Sequence, residues 1–175
     1  MKRSLHLIAV AALTFAGPAM AQTSATATAS ATATATVLTP ISLSKTTDLA
    51  FGSMVRPGNG ANTIAIDATT GNRTLTGSGN ASLATSTPTR AAFSVGGDGA
   101  QTFSITVPSP ISITRTGGTE TVPVTLSASA ATGLLSGSAG NSGTATFGVG
   151  GSLPLNTTVV GGSYTGTFNV TVGYN

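Results

Sequence analysis

Side-chain chemistry needs titratable or nucleophilic groups brought close together, and this chain carries few of them. The only histidine is His6, and there is no cysteine. The carboxylates are Asp48, Asp67, Asp98 and Glu120, far apart in sequence, and the lysines are Lys2 and Lys45. Acid–base catalysis near neutral pH needs an imidazole, or paired carboxylates that push each other's pKa apart. Neither arrangement is written here. Serine and threonine nucleophiles abound but lack a histidine base, which leaves a Ser–Lys pair on Lys45, a residue set in a polar run. No cluster of Asp, Glu, His or Cys has metal-ligand spacing. The expectation is a protein that is not an enzyme, with no cofactor, no metal and no small-molecule substrate.

A second kind of chemistry, backbone pairing, is written much more plainly. From Ala25 to Val37 the chain reads Ala-Thr-Ala-Thr-Ala-Ser-Ala-Thr-Ala-Thr-Ala-Thr-Val. Ala25, Ala27, Ala29, Ala31, Ala33 and Ala35 occupy the odd positions, Val37 continues the row, and every even position from Thr26 to Thr36 bears a hydroxyl. In an extended chain a period of two places the methyl groups on one face and the hydroxyls on the other. Alanine favours a helix, but a β-branched threonine at nearly every second residue opposes one and suits a strand. This strand has no local partner. The competing possibilities are a flexible low-complexity tail and a strand that pairs with another molecule.

The ends of the sequence bound where such pairing would occur. Lys2 and Arg3 precede the apolar run Leu5 to Gly17, and Ala19-Met20-Ala21 has the small-x-small pattern of a secretory cleavage site. Residues 1–21 are therefore expected to be a signal peptide, 22–36 an Ala/Thr-rich extension and 37–175 a single β-sandwich domain. The apolar run is too short to span a membrane. Export through the inner membrane to the periplasm, then to the cell surface or medium, follows. Without the signal, Lys45, Arg56, Arg73, Arg90 and Arg115 face four acids, a net charge of +1. The arginines stand isolated among turn residues with no aromatic platform, so no nucleic-acid partner is expected.

The elements that follow alternate with period two and show no helical periodicity. Ile41 and Leu43 resume the alternation after Pro40, Ser44 to Asp48 reads as a polar turn, and Leu49 and Phe51 close at Gly52. Ile64 and Ile66 mark a strand over Thr63 to Asp67, and Gly71-Asn72 turns into Arg73 to Thr76. Ala91 to Val95 and Gln101 to Val107 read as a hairpin about Gly96-Gly-Asp-Gly99, flanked by strands and without the helix a phosphate loop requires. Ile111 and Ile113 lead to Gly117-Gly118; Val122, Val124 and Leu126 share a face, with Pro123 signalling an edge. Ser127 to Ser142 reads as loop with a turn at Leu134-Leu135. Thr144 to Leu155 carries Phe147, Val149, Leu153 and Leu155. Tyr164 to Asn175 reads as one strand with Phe168, Val170, Val172 and Tyr174 inward. Short alternating strands separated by Gly, Pro, Asn and Asp predict an all-β, antiparallel, immunoglobulin-like sandwich. Such a sandwich ordinarily has a strand after this one. The best-patterned strand ends one residue from the last, so the sandwich is expected to be incomplete and to be completed by an N-terminal donor strand.

Several motifs resemble a known family. Thr36-Val-Leu-Thr-Pro-Ile-Ser-Leu, Asp48-Leu-Ala-Phe-Gly52 and Phe103-Ser-Ile-Thr-Val-Pro108 resemble the secreted bacterial domain of unknown function 4402. Val149-Gly-Gly-Ser-Leu153 through Gly162-Ser-Tyr-Thr-Gly-Thr-Phe-Asn-Val-Thr-Val-Gly-Tyr174 completes the resemblance. That family is similar to the spore-coat-U and Csu-type subunits of archaic chaperone–usher pili. The resemblance implies a fimbrial shaft subunit assembled by donor-strand exchange, a form of β-augmentation. Its partners would be copies of itself or related subunits, a periplasmic chaperone and an outer-membrane usher. The donor's inward face would be Ala25, Ala27, Ala29, Ala31, Ala33, Ala35 and Val37, and the acceptor groove Phe168, Val170, Val172 and Tyr174. The alternative is a self-complemented monomeric coat or binding module. An alanine methyl gains only about 0.8 kcal/mol on burial, so such a strand needs a preformed, tight groove.

Overall fold

The computed structural model describes residues 25–175. The expected signal peptide, residues 1–21, lies outside them, as does the start of the extension. A division after Ala35 separates an N-terminal unit from the body of the molecule, Thr36–Asn175. In the N-terminal unit residues 25–35 form no strand, and each is exposed.

The body is all β. Its strands are β1 (Ser42–Thr47), β2 (Met54–Val55), β3 (Ala61–Ile66), β4 (Arg73–Gly77), β5 (Ser82–Leu83), β6 (Ala91–Asp98) and β7 (Thr102–Thr106). They continue as β8 (Ile111–Arg115), β9 (Thr121–Ala128), β10 (Thr132–Leu134), β11 (Ser142–Asn156), β12 (Tyr164–Thr165) and β13 (Thr171–Tyr174). Every pairing is antiparallel. The largest sheet runs β1-β6-β11-β9-β8-β12, with β3 and β4 continuing from β11; a second runs β10-β7-β13, and β2 pairs β5. The expected antiparallel sandwich-like architecture is present.

The 15-residue β11 is the strand about which the sheet curls. Its first half pairs with β6, its middle with β9 and its second half with β3. Glycine makes the sharing possible: a Cβ at Gly150 would stand 2.2 Å from the Ile66 carbonyl oxygen, so only a bare backbone fits. Alternation along the strands sends Ile64, Val95, Phe103, Val122, Val124, Leu126, Val149, Leu153 and Leu155 into one core. Phe93 and Phe147, directly opposite in register, stack with ring centroids 5.2 Å apart.

Four local expectations are corrected. Residues 44–47 belong to β1 and are not a turn. Only Leu43 of that strand is half-buried, so backbone pairing to β6, and no apolar row, defines it. β6 and β7 do not form a hairpin: β6 pairs β1 and β11, while β7 pairs β10 and β13. Gly96, Gly97 and Asp98 are the end of β6, and the chain crosses between sheets at Gly99-Ala100, where Ala100 takes φ 58°. Asp98 anchors that crossing by accepting a hydrogen bond from the Gly140 N–H at 2.9 Å while its own N–H donates to the Tyr174 hydroxyl at 2.7 Å. The region expected to be loop contains β10. Finally, the last strand is two pieces. β12 pairs β8 and β13 pairs β7, and residues 166–170 between them belong to no strand. Pro108 and Pro110 interrupt the neighbouring β7–β8 run at that level, and proline has no N–H to offer a ladder.

Candidate functional site

Several strands pair on one side only among the described residues, β4 and β10 among them, and two of these edges lie close together. β1 pairs only with β6, and β12 and β13 pair only with β8 and β7 on one side. The two edges meet at Tyr174. Its hydroxyl donates to the Thr39 carbonyl oxygen at 2.9 Å and accepts from the Asp98 N–H, so it ties the approach to β1 to the end of β6 and β13. Gly97 lies beneath it; a Cβ there would come within 2.2 Å of the Tyr174 hydroxyl oxygen.

Away from Tyr174 an apolar groove opens between residues 49–56 on one bank and 159–168 on the other, with a volume of about 800 Å³. Its floor is core: Val122, Val124, Leu153 and Leu155 are buried there, and Ile111 and Ile113 are half-buried. Leu49, Phe51 and Met54 from one bank and Val159, Tyr164 and Phe168 from the other pack on that core while remaining half-exposed. A row of half-exposed aliphatic and aromatic side chains along an unpaired edge is where a further strand gains both a ladder and apolar burial.

Two arginines shape the first bank. The Arg73 guanidinium gives Nη1 to the carbonyls of Phe51 (3.0 Å) and Ser53 (3.3 Å) and to Ser86 Oγ (3.1 Å), and Nη2 to the Ala84 carbonyl (3.0 Å). Its Nε is buried and has no partner. Arg56 Nη1 reaches across the far end of the groove to the carbonyls of Thr157 (2.6 Å) and Val159 (3.1 Å). Tyr164 Oη steadies the same segment through the Val160 carbonyl at 2.8 Å. These cations are held by backbone dipoles, and no carboxylate stands among their hydrogen-bond partners.

The ionisable residues lie elsewhere and do not converge. Lys45 on β1 pairs with Asp48, the residue that follows the strand. Asp67 caps the β3–β4 turn; the Thr70 N–H, the Thr70 hydroxyl and the Thr69 N–H hold its carboxyl below the usual range. Arg115 and Glu120 form a two-point ion pair, Nε–Oε2 2.8 Å and Nη2–Oε1 3.0 Å, across the β8–β9 turn. The hydrogen bonds from Arg115 lower the Glu120 pKa to about 2. No group of three metal-ligating side chains occurs among the described residues.

Of the acceptor residues expected from sequence, Phe168, Val170, Val172 and Tyr174 all share the half-buried face, alternating with exposed Thr167, Asn169 and Thr171. Of these four only Phe168 lines the open groove; Tyr174 is bonded instead to the Thr39 carbonyl. Ala25, Ala27, Ala29, Ala31, Ala33 and Ala35 lie in the N-terminal unit, and Val37, in the body, is 89% exposed. Sequence reasoning missed the opposite bank and the floor, Ile111 and Ile113 above all. The signal available was the half-alternation of Leu49, Phe51 and Met54, which is too short to stand out.

No curated protein and no solved structure matches the chain. Residues 41–174, which contain all the strands and the groove, match the family described as Domain of unknown function (DUF4402), and the protein belongs to that family.

Proposed function

We propose that the protein is a structural subunit of a bacterial surface fibre, exported across the inner membrane and assembled by donor-strand exchange, with no enzymatic activity. The observation that carries this function is the apolar groove bordered by the one-sided edge of β12, in a chain that also carries a strand-patterned segment with no strand partner of its own. An exposed edge of this kind is an aggregation hazard unless a dedicated partner covers it. The motif resemblance to spore-coat-U and Csu-type pilin domains favours the same function. Copies of the chain are the partners, with a periplasmic chaperone and an outer-membrane usher escorting them to the surface.

The test is deletion of residues 22–36. The shortened protein is expected to fold, since the core lies wholly in the body, and to remain unassembled in sedimentation and electron microscopy while the intact mature protein forms fibres. Fibres from the shortened protein would move the donor to Ile41 and Leu43. Concentration-independent monomers of the intact protein with a protease-protected N-terminus would replace the fibre with a self-complemented module.

A further inference from the structure

A second cleft lies on the face of β9 and β11 turned away from the apolar groove, with a volume of about 470 Å³ and no residue in common with it. Alternation sends Leu126 and Leu153 into the core and leaves Thr125, Ser127 and Ser152 on this outer face. One wall is the turn after β3, residues 67–69, with Thr74 of β4 beside it. The other is the end of β9 with Ser129, and Ala65, Gly151 and Ser152 form the floor. Thr74, Ala65, Ser152 and Thr125 stand in one register row across four strands, about 14 Å from end to end at ~4.8 Å per strand. Both walls are tied down. Arg90 Nη1 donates to the Ala68 carbonyl oxygen at 2.7 Å. Ser129 exchanges two bonds with Gly148, its N–H donating to the carbonyl at 2.8 Å and its hydroxyl accepting the Gly148 N–H at 3.1 Å.

The polar groups that face the cleft are open to a ligand. Asp67 Oδ1 accepts from the Thr69 N–H at 2.9 Å, the Thr70 N–H at 2.6 Å and the Thr70 hydroxyl at 2.9 Å, whereas Oδ2 has no donor among the described residues. The three bonds hold the carboxyl below its usual range, so it is ionised at neutral pH. Among the described residues the hydroxyls of Thr69, Thr74, Thr125, Ser127 and Ser152 also have no hydrogen-bond partner, while those of neighbouring Thr70 and Ser129 are engaged. A hydroxyl both donates and accepts, and a carboxylate oxygen accepts only. The matching ligand therefore carries several hydroxyls of its own. An anion would be repelled by Asp67. A metal ion would need more ligating groups, and no group of three occurs among the described residues. An apolar ligand would find no aromatic ring, and Ile66, the one large aliphatic residue of the lining, is buried.

We infer that this cleft binds a neutral saccharide, two adjacent hydroxyls of which donate to Asp67 Oδ2 while others exchange hydrogen bonds with Ser127, Thr125 and Ser152. Its volume falls within the roughly 300–1,000 Å³ of small-molecule sites. Hydrogen bonds to an ionised acceptor are the stronger kind and set the orientation of the ring. Without an aromatic platform the affinity of a single cleft is in the millimolar range. Because cleft and groove occupy opposite faces, a strand in the groove leaves the cleft accessible, and the inference stands whether or not chains assemble.

The test is saturation-transfer NMR on the mature chain, which reads bound sugar equally from monomers and from fibres. Methyl α-D-glucopyranoside, methyl α-D-mannopyranoside and methyl β-D-galactopyranoside are titrated separately, with glucosamine as a cationic comparison. At least one neutral pyranoside is expected to bind. Asp67→Asn keeps Oδ1 as the acceptor of the turn but puts an NH₂ donor in place of Oδ2, and Ser127→Val keeps the strand while deleting a hydroxyl. Each is expected to weaken binding about tenfold, and Asp48→Asn, outside the cleft, to leave it unchanged. Should Asp67→Asn lower the melting temperature, Ser127→Val alone decides. No response to any of the three neutral sugars, or equal responses from the natural chain and Ser127→Val, would overturn the site. A response to glucosamine alone would overturn the neutral class. Maltotriose separates the sources: a stronger response than that of the monosaccharides marks a polysaccharide, and an equal one a free sugar.

Discussion

Arg73 shows how a single side chain can hold one bank of a groove in shape. Its guanidinium spans three segments, 51–53, 84–86 and β4, through bonds to carbonyls and one hydroxyl. Hydrogen bonds from a charged donor contribute about 1.5–3 kcal/mol each, and losing the donor leaves several carbonyls without a partner. Arg73→Ala is therefore expected to destabilise the protein by about 2–3 kcal/mol in chemical denaturation and to loosen the bank at Phe51. Arg73→Lys should recover little, because an ammonium cannot reproduce the planar fork. Glu120 behaves differently. Its carboxyl is depressed from 4.5 to about 2 by Arg115, so it binds a proton more readily in the unfolded chain. The stability it lends is present above pH 4.5 and disappears as pH falls through about 2. A carboxyl titration followed by NMR should show a midpoint near 2 for Glu120, returning toward 4.5 in Arg115→Ala. From sequence both arginines looked alike, isolated among turn residues; nothing local distinguishes one that reaches three carbonyls in two other loops from one that pairs five residues away.

At the scale of elements, alternation was an accurate guide where one face is buried. β3, β6, β7, β8 and β9 were legible because Ile64, Val95, Phe103, Ile113 and Val124 each repeat every second residue. β1 was not, since its residues other than Leu43 are exposed and pairing to β6 alone makes it a strand. The supposed β6–β7 hairpin failed because a glycine-rich turn looks the same whether the chain returns in the same sheet or crosses to the other. Asp98 and its bond to Gly140 decide between them, and that contact spans 42 residues. Of the groove, Phe168 was legible and the bank at residues 49–56 was not. The same period of two makes the proposed donor role of residues 25–37 testable. A one-residue slip exchanges every alanine for a hydroxyl, so Ala31→Asp would bury an unpaired charge and is expected to abolish assembly. Thr32→Asp points outward and should be nearly silent. Equal tolerance at both positions would identify the segment as a solvated tail.

In the body of the molecule two edges that are one-sided among the described residues, those of β1 and β13, meet at a single tyrosine. Tyr174 joins the segment entering β1 to β6 and to the last strand, so any pull on the chain before Thr39 arrives first at this hydroxyl. Beyond it the pull runs along β1, whose ladder to β6 from Ser42 to Thr47 lies across the direction of the load. Bonds loaded in that way must yield together, whereas bonds peeled from one end yield one at a time. β6 in turn passes the load to β11 over eight residue pairs, from Ser142–Asp98 to Val149–Ala91. With no disulfide to carry tension, a pull entering before Thr39 is met by the longest continuous ladder of the described residues, and its resistance is that of a shear joint made of backbone alone.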